Sequence, residues 1–419
     1  MTQLISARNG QITPEMEEIA LKEGVSPKEL MQKVAAGKVC ILKNINHKTC
    51  IPVAIGEGMS IKINANIGTS RDRSSNEEEL EKLKVVQETG ADAVMDLSTG
   101  MNIDSTRQAI LKECHIPIGT VPIYQAGKEA MDGHGSILDL DKDKFFADIE
   151  KHCRDGVDFI TVHCGVTRQV VNFLREQGRI CDIVSRGGSF LAAWIIGNDR
   201  ENPLYEFYDD LLDIAKTYDT TLSLGDGLRP GAGADAGDRA QVAETLYLGE
   251  LVSRARKAGV QTMVEGPGHV PLNKIPSMIE TIKYLTDGAP LYVLGPLVTD
   301  IAPGYDHITA AIGGTLAAYH GADFLCYVTP SEHLGLPNAE QVRQGIITCK
   351  LAAHAADVAK GRPQSVERDR QMSIARKALD WETQKKYALD KTVFEHIETG
   401  EPCTMCGKYC SMKLINDYL

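Results

Sequence analysis

Three cysteines stand near the C-terminal end of the sequence. Cys403, Cys406 and Cys410 fall within eight residues of one another in Glu401-Pro-Cys-Thr-Met-Cys-Gly-Lys-Tyr-Cys-Ser-Met-Lys413. A C-x2-C step brings two thiolates to one side of a tight loop. Gly407 supplies the backbone freedom for the turn, and the third thiolate follows within reach of the same centre. On a [4Fe-4S] cluster, three thiolates leave one iron without a protein ligand and free for substrate or cofactor. On zinc, they leave either an open catalytic position or a fourth ligand from elsewhere. Spacing this tight argues against three unrelated free thiols.

Further chemistry is carried by short polar runs. Glu265-Gly-Pro-Gly-His269 and Ser331-Glu-His333 each offer an imidazole after an apolar segment. Together, His269 and His333 suit zinc or another borderline divalent metal; taken singly, each reads as a histidine hydrogen-bonded within its own loop. Ser185-Arg-Gly-Gly-Ser189 and Asp226-Gly-Leu-Arg-Pro-Gly231 pair arginines with glycines. Glycine lets backbone N–H groups approach an anion and arginine adds a bidentate fork, so a phosphorylated or carboxylated small molecule is implied. The alternative is structural turns held by Arg–carboxylate pairs. Neither run matches a Walker A loop or a dinucleotide fingerprint. Asp300-Ile-Ala-Pro-Gly-Tyr-Asp-His307 offers acid–base groups or a solvated loop.

These runs need elements to position them. From Ile61 onward, short apolar segments alternate with amphipathic helical stretches. The segments are 61–67, 93–97, 116–123, 159–163, 180–184, 221–224, 262–264, 291–294 and 324–328, one more than eight. The alternation predicts a parallel sheet, and the span suits a (β/α)8 barrel, with an open doubly wound sheet as the other solution. The barrel is favoured because nearly every segment ends in polar, glycine-rich residues, which a barrel gathers on one rim and an open sheet spreads along a crevice. The expected domains are a cap over 1–58, the barrel over 59–338 and a helical region over 339–419 ending in the cysteine loop. In that last region helices are expected over 339–360 and 373–386, with a polar connection at 361–370.

Composition narrows the function classes. The chain has 419 residues, 43% hydrophobic and 24% charged, with a formal net charge of -12. Such a charge speaks against a general nucleic-acid surface, so any phosphate must be held by a local site. No apolar run approaches a membrane span, and the first residues lack an apolar signal core. Eleven cysteines, eight of them scattered singly, do not resemble a secreted disulfide framework. A reduced, cytoplasmic setting is expected.

The runs Asn64-Ala-Asn-Ile-Gly-Thr-Ser70, Met95-Asp-Leu-Ser-Thr-Gly100, Val121-Pro-Ile-Tyr-Gln-Ala126, Ser185-Arg-Gly-Gly188, Leu224-Gly-Asp-Gly-Leu-Arg-Pro-Gly231, Glu265-Gly-Pro-Gly-His-Val-Pro271, Asp300-Ile-Ala-Pro-Gly-Tyr-Asp-His307 and Glu332-His-Leu-Gly-Leu-Pro337 resemble those of the phosphomethylpyrimidine synthase family. The resemblance implies a (β/α)8 barrel and a C-terminal [4Fe-4S] cluster that reductively cleaves S-adenosylmethionine with an external electron donor. It also implies radical chemistry on 5-aminoimidazole ribonucleotide and a homodimer. Substrate contacts would fall on Asn66, Met95, Tyr124, His163, Ser185, Arg186, Gly187, Asp226, Gly227, Leu228, Arg229, Glu265 and Tyr292. His269 and His333 would hold the second metal, zinc being expected, and Cys403, Cys406 and Cys410 the cluster.

The sequence departs from the family pattern in a few places. The cysteine spacing is C-x2-C-x3-C where the family's best-known spacing is C-x2-C-x4-C. Gly100-Met101, Gly231-Ala-Gly233 and Arg71-Asp-Arg73 depart at expected rim positions. Rim changes beside unchanged substrate residues suggest the branch that turns the same ribonucleotide into 5-hydroxybenzimidazole, the base of a cobamide lower ligand. Pyrimidine phosphate formation for thiamine is the alternative, and a non-catalytic zinc-binding protein is the reading from a different class.

Overall fold

A computed structural model describes residues 1–71, 75–395, 402–416 and 418. Asp72, Arg73 and Glu401, each singled out in the sequence, lie outside the described residues. The chain forms two compact units, Met1–Ala353 and His354–Leu419.

The first unit begins with helices Gln3–Arg8, Pro14–Glu23 and Pro27–Ala35. Local chemistry sets their ends: the Thr13 and Ser26 hydroxyls accept the N–H of Met16 and Glu29, Pro occupies the first helical position of both following helices, and Gly24 ends the second in the left-handed region at φ 70°. Met16, Ile19, Leu30 and Val34 pack with Val39 and Ile41 of an antiparallel pair, β1 (Val39–Leu42) with β2 (Val53–Gly56).

Eight parallel strands follow: β3 (Lys62–Ile67), β4 (Ala93–Asp96), β5 (Ile118–Thr120), β6 (Phe159–Val162), β7 (Thr221–Leu224), β8 (Thr262–Gly266), β9 (Leu291–Leu294) and β10 (Phe324–Cys326). Each pairs with the next, and β10 pairs back onto β3 with Phe324 opposite Lys62, closing the barrel. The expected (β/α)8 barrel is the fold. Its interior is packed rather than open: Phe324 lies edge-on to Phe159 at 6.3 Å and tilts against Tyr292 at 4.4 Å. Gly119 leaves room for that layer, since a Cβ there would stand 2.3 Å from the Phe159 ring.

The ninth strand candidate, 180–184, is loop. Its Ile180 and Cys181 N–H groups donate to the Asp235 carboxylate instead of to a neighbouring strand, Asp182 turns the chain at φ 39°, and Ile180 is exposed. The polar connection expected at 361–370 is largely helix, Pro363–Lys377. Pro363 is pre-set for a first helical turn, and Glu367 joins Arg370 and Gln371 one turn on. The helix expected over 373–386 is broken by Leu379 at φ 54°, after which Asp380 caps Trp381–Tyr387. Among the described residues no helix is long and apolar enough to cross a membrane.

Candidate active site

In a strand, residues two apart share a face, so Asn64 and Asn66, Thr161 and His163, and Cys326 turn into the barrel near its C-terminal rim. Here lies a cavity of about 80 Å³ to which every barrel strand or its following loop contributes. Of the substrate residues expected from the sequence, Asn66, Met95, Tyr124, His163, Asp226, Arg229, Glu265 and Tyr292 line it. Ser185, Arg186, Gly187, Gly227 and Leu228 are not in the lining and stand behind it. The Ser185 hydroxyl lies 3.2 Å from His163 Nε2, and the Arg186 guanidinium sits over the Tyr124 ring at 4.8 Å. Gly187 lets the helix Arg186–Asn198 close on the His163 ring, because a Cβ there would come within 2.2 Å of it. Gly227 packs against Val166 and Gly188, and the Leu228 side chain is wholly buried.

Neighbouring strands aim the polar groups. Thr161 of β6 and Ser223 of β7 both donate to Glu265 Oε1 at 2.8 Å, turning that carboxylate toward the cavity. Asn64 Nδ2 donates to Asn66 Oδ1 at 2.7 Å and to the Tyr292 hydroxyl at 2.8 Å, while Asn66 Nδ2 donates to Cys326 Sγ at 3.1 Å. Thr161, Ser223, Asn64 and Cys326 escaped sequence reasoning as site residues. For Asn64 and Thr161, two residues before Asn66 and His163, the period-two strand pattern was the signal that could have found them; Ser223 and Cys326 left none.

Electrostatics in the cavity are lopsided. Burial holds the His163 imidazole down to about 3, with the Arg229 charge adding, so the ring is neutral and its Nδ1 has no hydrogen-bond partner among the described residues. Asp226 Oδ1 accepts from Arg229 Nη1 at 3.1 Å, while its buried Oδ2 has no hydrogen-bond partner among the described residues. Burial pushes the Asp226 carboxyl up to about 8, against the pull of Arg229 and with help from Glu265. Burial works against the Arg229 cation, but Asp226, Tyr124 and Glu265 outweigh it, so the guanidinium stays charged.

The two rim histidines come together. His269, on the loop after β8, and His333, on the loop after β10, have ring centroids 5.2 Å apart. His269 Nδ1 lies 2.7 Å from Asp300 Oδ1, and His333 Nδ1 lies 3.5 Å from Asp306 Oδ2, a buried oxygen with no hydrogen bond among the described residues. His333 holds φ 61°, a strained conformation for a side-chain-bearing residue. Two imidazoles whose Nδ1 atoms each face a carboxylate leave both Nε2 atoms for a metal, as a divalent-cation site requires. A buried trio elsewhere, His47, Cys50 and Asp158, does not fit a metal. The His47 ring is engaged by Asp158 Oδ2 at 2.7 Å and by the Cys114 carbonyl at 3.2 Å, and the Asp158 carboxylate also accepts the N–H of Asn44 and Ile118. Burial keeps the Cys50 thiol protonated.

In the second unit, Cys403, Cys406 and Cys410 follow consecutive turns. The Gly407 N–H donates to the Cys403 carbonyl at 3.0 Å, Tyr409 to Cys406 at 3.0 Å and Cys410 to Gly407 at 3.1 Å, with Gly407 at φ 49°. All three thiols are free; Cys403 and Cys406 are exposed and Cys410 is buried. Three unpaired thiols along so tight a path fit a three-thiolate cluster.

Among the described residues the rim departures stay out of the cavity lining, but Gly233 reaches the histidine pair: its N–H donates at 2.9 Å to Asp300 Oδ2, the carboxylate beside His269. Gly100, Met101 and residues 231–233 do not line the cavity; Met101 and Arg71 are exposed, and Gly231 packs on Val184.

The Radical SAM ThiC family matches residues 2–417. The chain is 58% identical over 425 residues to the phosphomethylpyrimidine synthase of Desulforamulus reducens, covering 100% of this chain and 98% of that protein. It is 56% identical over 424 residues to that of Dehalococcoides mccartyi and 55% over 425 residues to that of a Thermoanaerobacter species, each with 100% of this chain and 98% of the relative covered. These relatives bear the pyrimidine synthase name, and so back the alternative reading over the hydroxybenzimidazole branch favoured from rim departures. With its full length matched, the chain is a member of the Radical SAM ThiC family.

Proposed function

We propose that this chain is a phosphomethylpyrimidine synthase, forming 4-amino-5-hydroxymethyl-2-methylpyrimidine phosphate from 5-aminoimidazole ribonucleotide. The observation that carries the reading is full-length identity of 55–58% to proteins of that name. A homodimer and an external electron donor belong to the same reading.

The chain's own residues bind, orient and shield. Arg229 and Arg186, with the N–H groups that open the helix Arg186–Asn198, offer charge and donors to the ribose phosphate. Glu265, fixed by Thr161 and Ser223, accepts from a hydroxyl or amine of the substrate. Neutral His163 can donate to or accept from the substrate without adding charge. Asn66, Met95 and Tyr292 form the wall and exclude water, so that reactive carbon centres are not quenched. Cys403, Cys406 and Cys410 would hold the [4Fe-4S] cluster, which when bound supplies the electron that cleaves S-adenosylmethionine. His269 and His333 would hold a divalent metal, for which zinc suits the imidazole donors.

The reading is tested by complementation. A bacterium lacking its own phosphomethylpyrimidine synthase should grow without thiamine when it carries this chain, and should not when it carries the Cys406→Ala variant. Failure of the unaltered chain, expressed and loaded with iron, would remove the proposal.

A further inference from the structure

The helix Arg239–Ala258 presents Ala240, Glu244, Leu248, Leu251 and Ala255 to the core. Glu244 is a carboxylate on that apolar stripe, only 2% exposed. Isolated buried carboxylates are costly and need a reason. Glu244 Oε2 accepts the N–H of Leu228 at 2.9 Å, and Oε1 has no hydrogen-bond partner among the described residues.

The same backbone is gripped by Arg179. Its Nη2 donates to the Leu228 carbonyl at 2.7 Å and its Nη1 to the Arg229 carbonyl at 3.5 Å. The Arg179 side chain is 1% exposed and is itself fixed by both oxygens of Asp238, at 2.6 and 2.7 Å. Both grips fall on one turn, closed by the Arg229 N–H donating to the Asp226 carbonyl at 3.0 Å. Gly188 presses onto that turn: a Cβ on Gly188 would meet the Gly227 carbonyl oxygen at 2.2 Å. Neither Glu244 nor Arg179 lines the cavity, yet the turn they hold carries Asp226 and Arg229, which do.

We propose that Glu244 and Arg179 are positioning residues of the site: they hold Leu228 by its N–H and its carbonyl and thereby set the aim of Asp226 and Arg229 at the ribonucleotide. The inference rests on the reading of the cavity as a ribonucleotide pocket. A purely structural role for the pair would lower the stability of the fold without changing the affinity of the folded protein, which separates the two cases.

The test is calorimetric titration of the full chain with 5-aminoimidazole ribonucleotide, paired with hydrogen exchange of amides 226–229. E244A, which strands the Leu228 N–H, should weaken binding about tenfold or more and raise KM more than it lowers kcat. E244Q keeps an acceptor there and should return affinity to within about threefold of the unaltered protein. R179K, which cannot span both carbonyls and Asp238, should also weaken binding, about fivefold or more. Amides 226–229 should exchange faster in E244A and R179K than in E244Q. Unchanged affinity in E244A, or E244Q no better than E244A, would overturn the proposal. Should E244A fail to fold, R179K at full affinity would overturn it and the stated loss would support it. If the unaltered protein does not bind the ribonucleotide at all, the functional reading falls, and amide exchange alone decides the clamp: faster exchange in the variants supports it and unchanged exchange overturns it.

Discussion

The Gly187→Ala substitution puts one methyl group where the site has no room for it. The built Cβ would stand 2.2 Å from His163 Cε1 and 2.5 Å from Nδ1. Carbon atoms pack at about 3.5 Å, so the ring would need to retreat by roughly 1.3 Å. Gly225 also approaches the ring, where an added Cβ would stand 2.8 Å from His163 Cδ2. Overpacking of this kind costs about 1–3 kcal/mol. Alanine in place of glycine in a helix returns up to about 1 kcal/mol, leaving a net loss of up to about 2 kcal/mol to the fold. Displacing His163 and its Ser185 contact should weaken ribonucleotide binding about tenfold as well. Thermal unfolding and calorimetric titration read the two effects separately. Gly225→Ala should be milder, and Gly133→Ala, which meets nothing within 4 Å in the helix Pro122–His134, should not destabilise. A G187A protein as stable and as tight-binding as the unaltered chain would refute the claim that this glycine exists to seat the His163 ring.

Three further outcomes follow from the charges. Because burial lifts Asp226 to about 8 from 3.8, the folded chain keeps that proton through a pH range in which the unfolded chain loses it, so stability falls as pH rises from about 4 to 8. Asp226→Asn removes this contribution, and its melting temperature should gain on the unaltered protein steadily across that window; a constant difference contradicts the assignment. For His47 burial lowers the pKa, but the hydrogen bond and charge of Asp158 outweigh it and raise the pKa above 6.5. Its contribution is therefore full below that value and lost as pH rises through the folded one, so the deficit of His47→Gln should be larger at pH 6 than at pH 9. His269→Ala should abolish stoichiometric binding of a divalent metal, measured by elemental mass spectrometry. Undiminished metal content would take His269 out of the site.

The barrel was legible because each strand is a short apolar run that ends in glycine and polar residues, a pattern local to each segment. The same rule overshot at 180–184, where Asp235, far along the chain, claims the backbone donors a strand would have used. The cavity residues were legible mainly through motif resemblance; their ranking was not. Leu228 carries its meaning in its backbone, and Thr161 and Ser223 matter only because β6 and β7 flank Glu265 once the barrel closes. Asp300 and Asp306 fit acid–base groups and a solvated loop equally well in the sequence, and the fold sets each against a histidine. Glu244 left a local trace, a charge on the buried stripe of an amphipathic helix, and that trace is readable in any such helix.

The most direct test of the account is product identity. The protein, reconstituted with iron and sulfide under anaerobic conditions, is supplied with S-adenosylmethionine, a one-electron reductant and 5-aminoimidazole ribonucleotide, and the product is analysed by mass. The account predicts the hydroxymethylpyrimidine phosphate; 5-hydroxybenzimidazole, or untouched ribonucleotide beside cleaved S-adenosylmethionine, would contradict it.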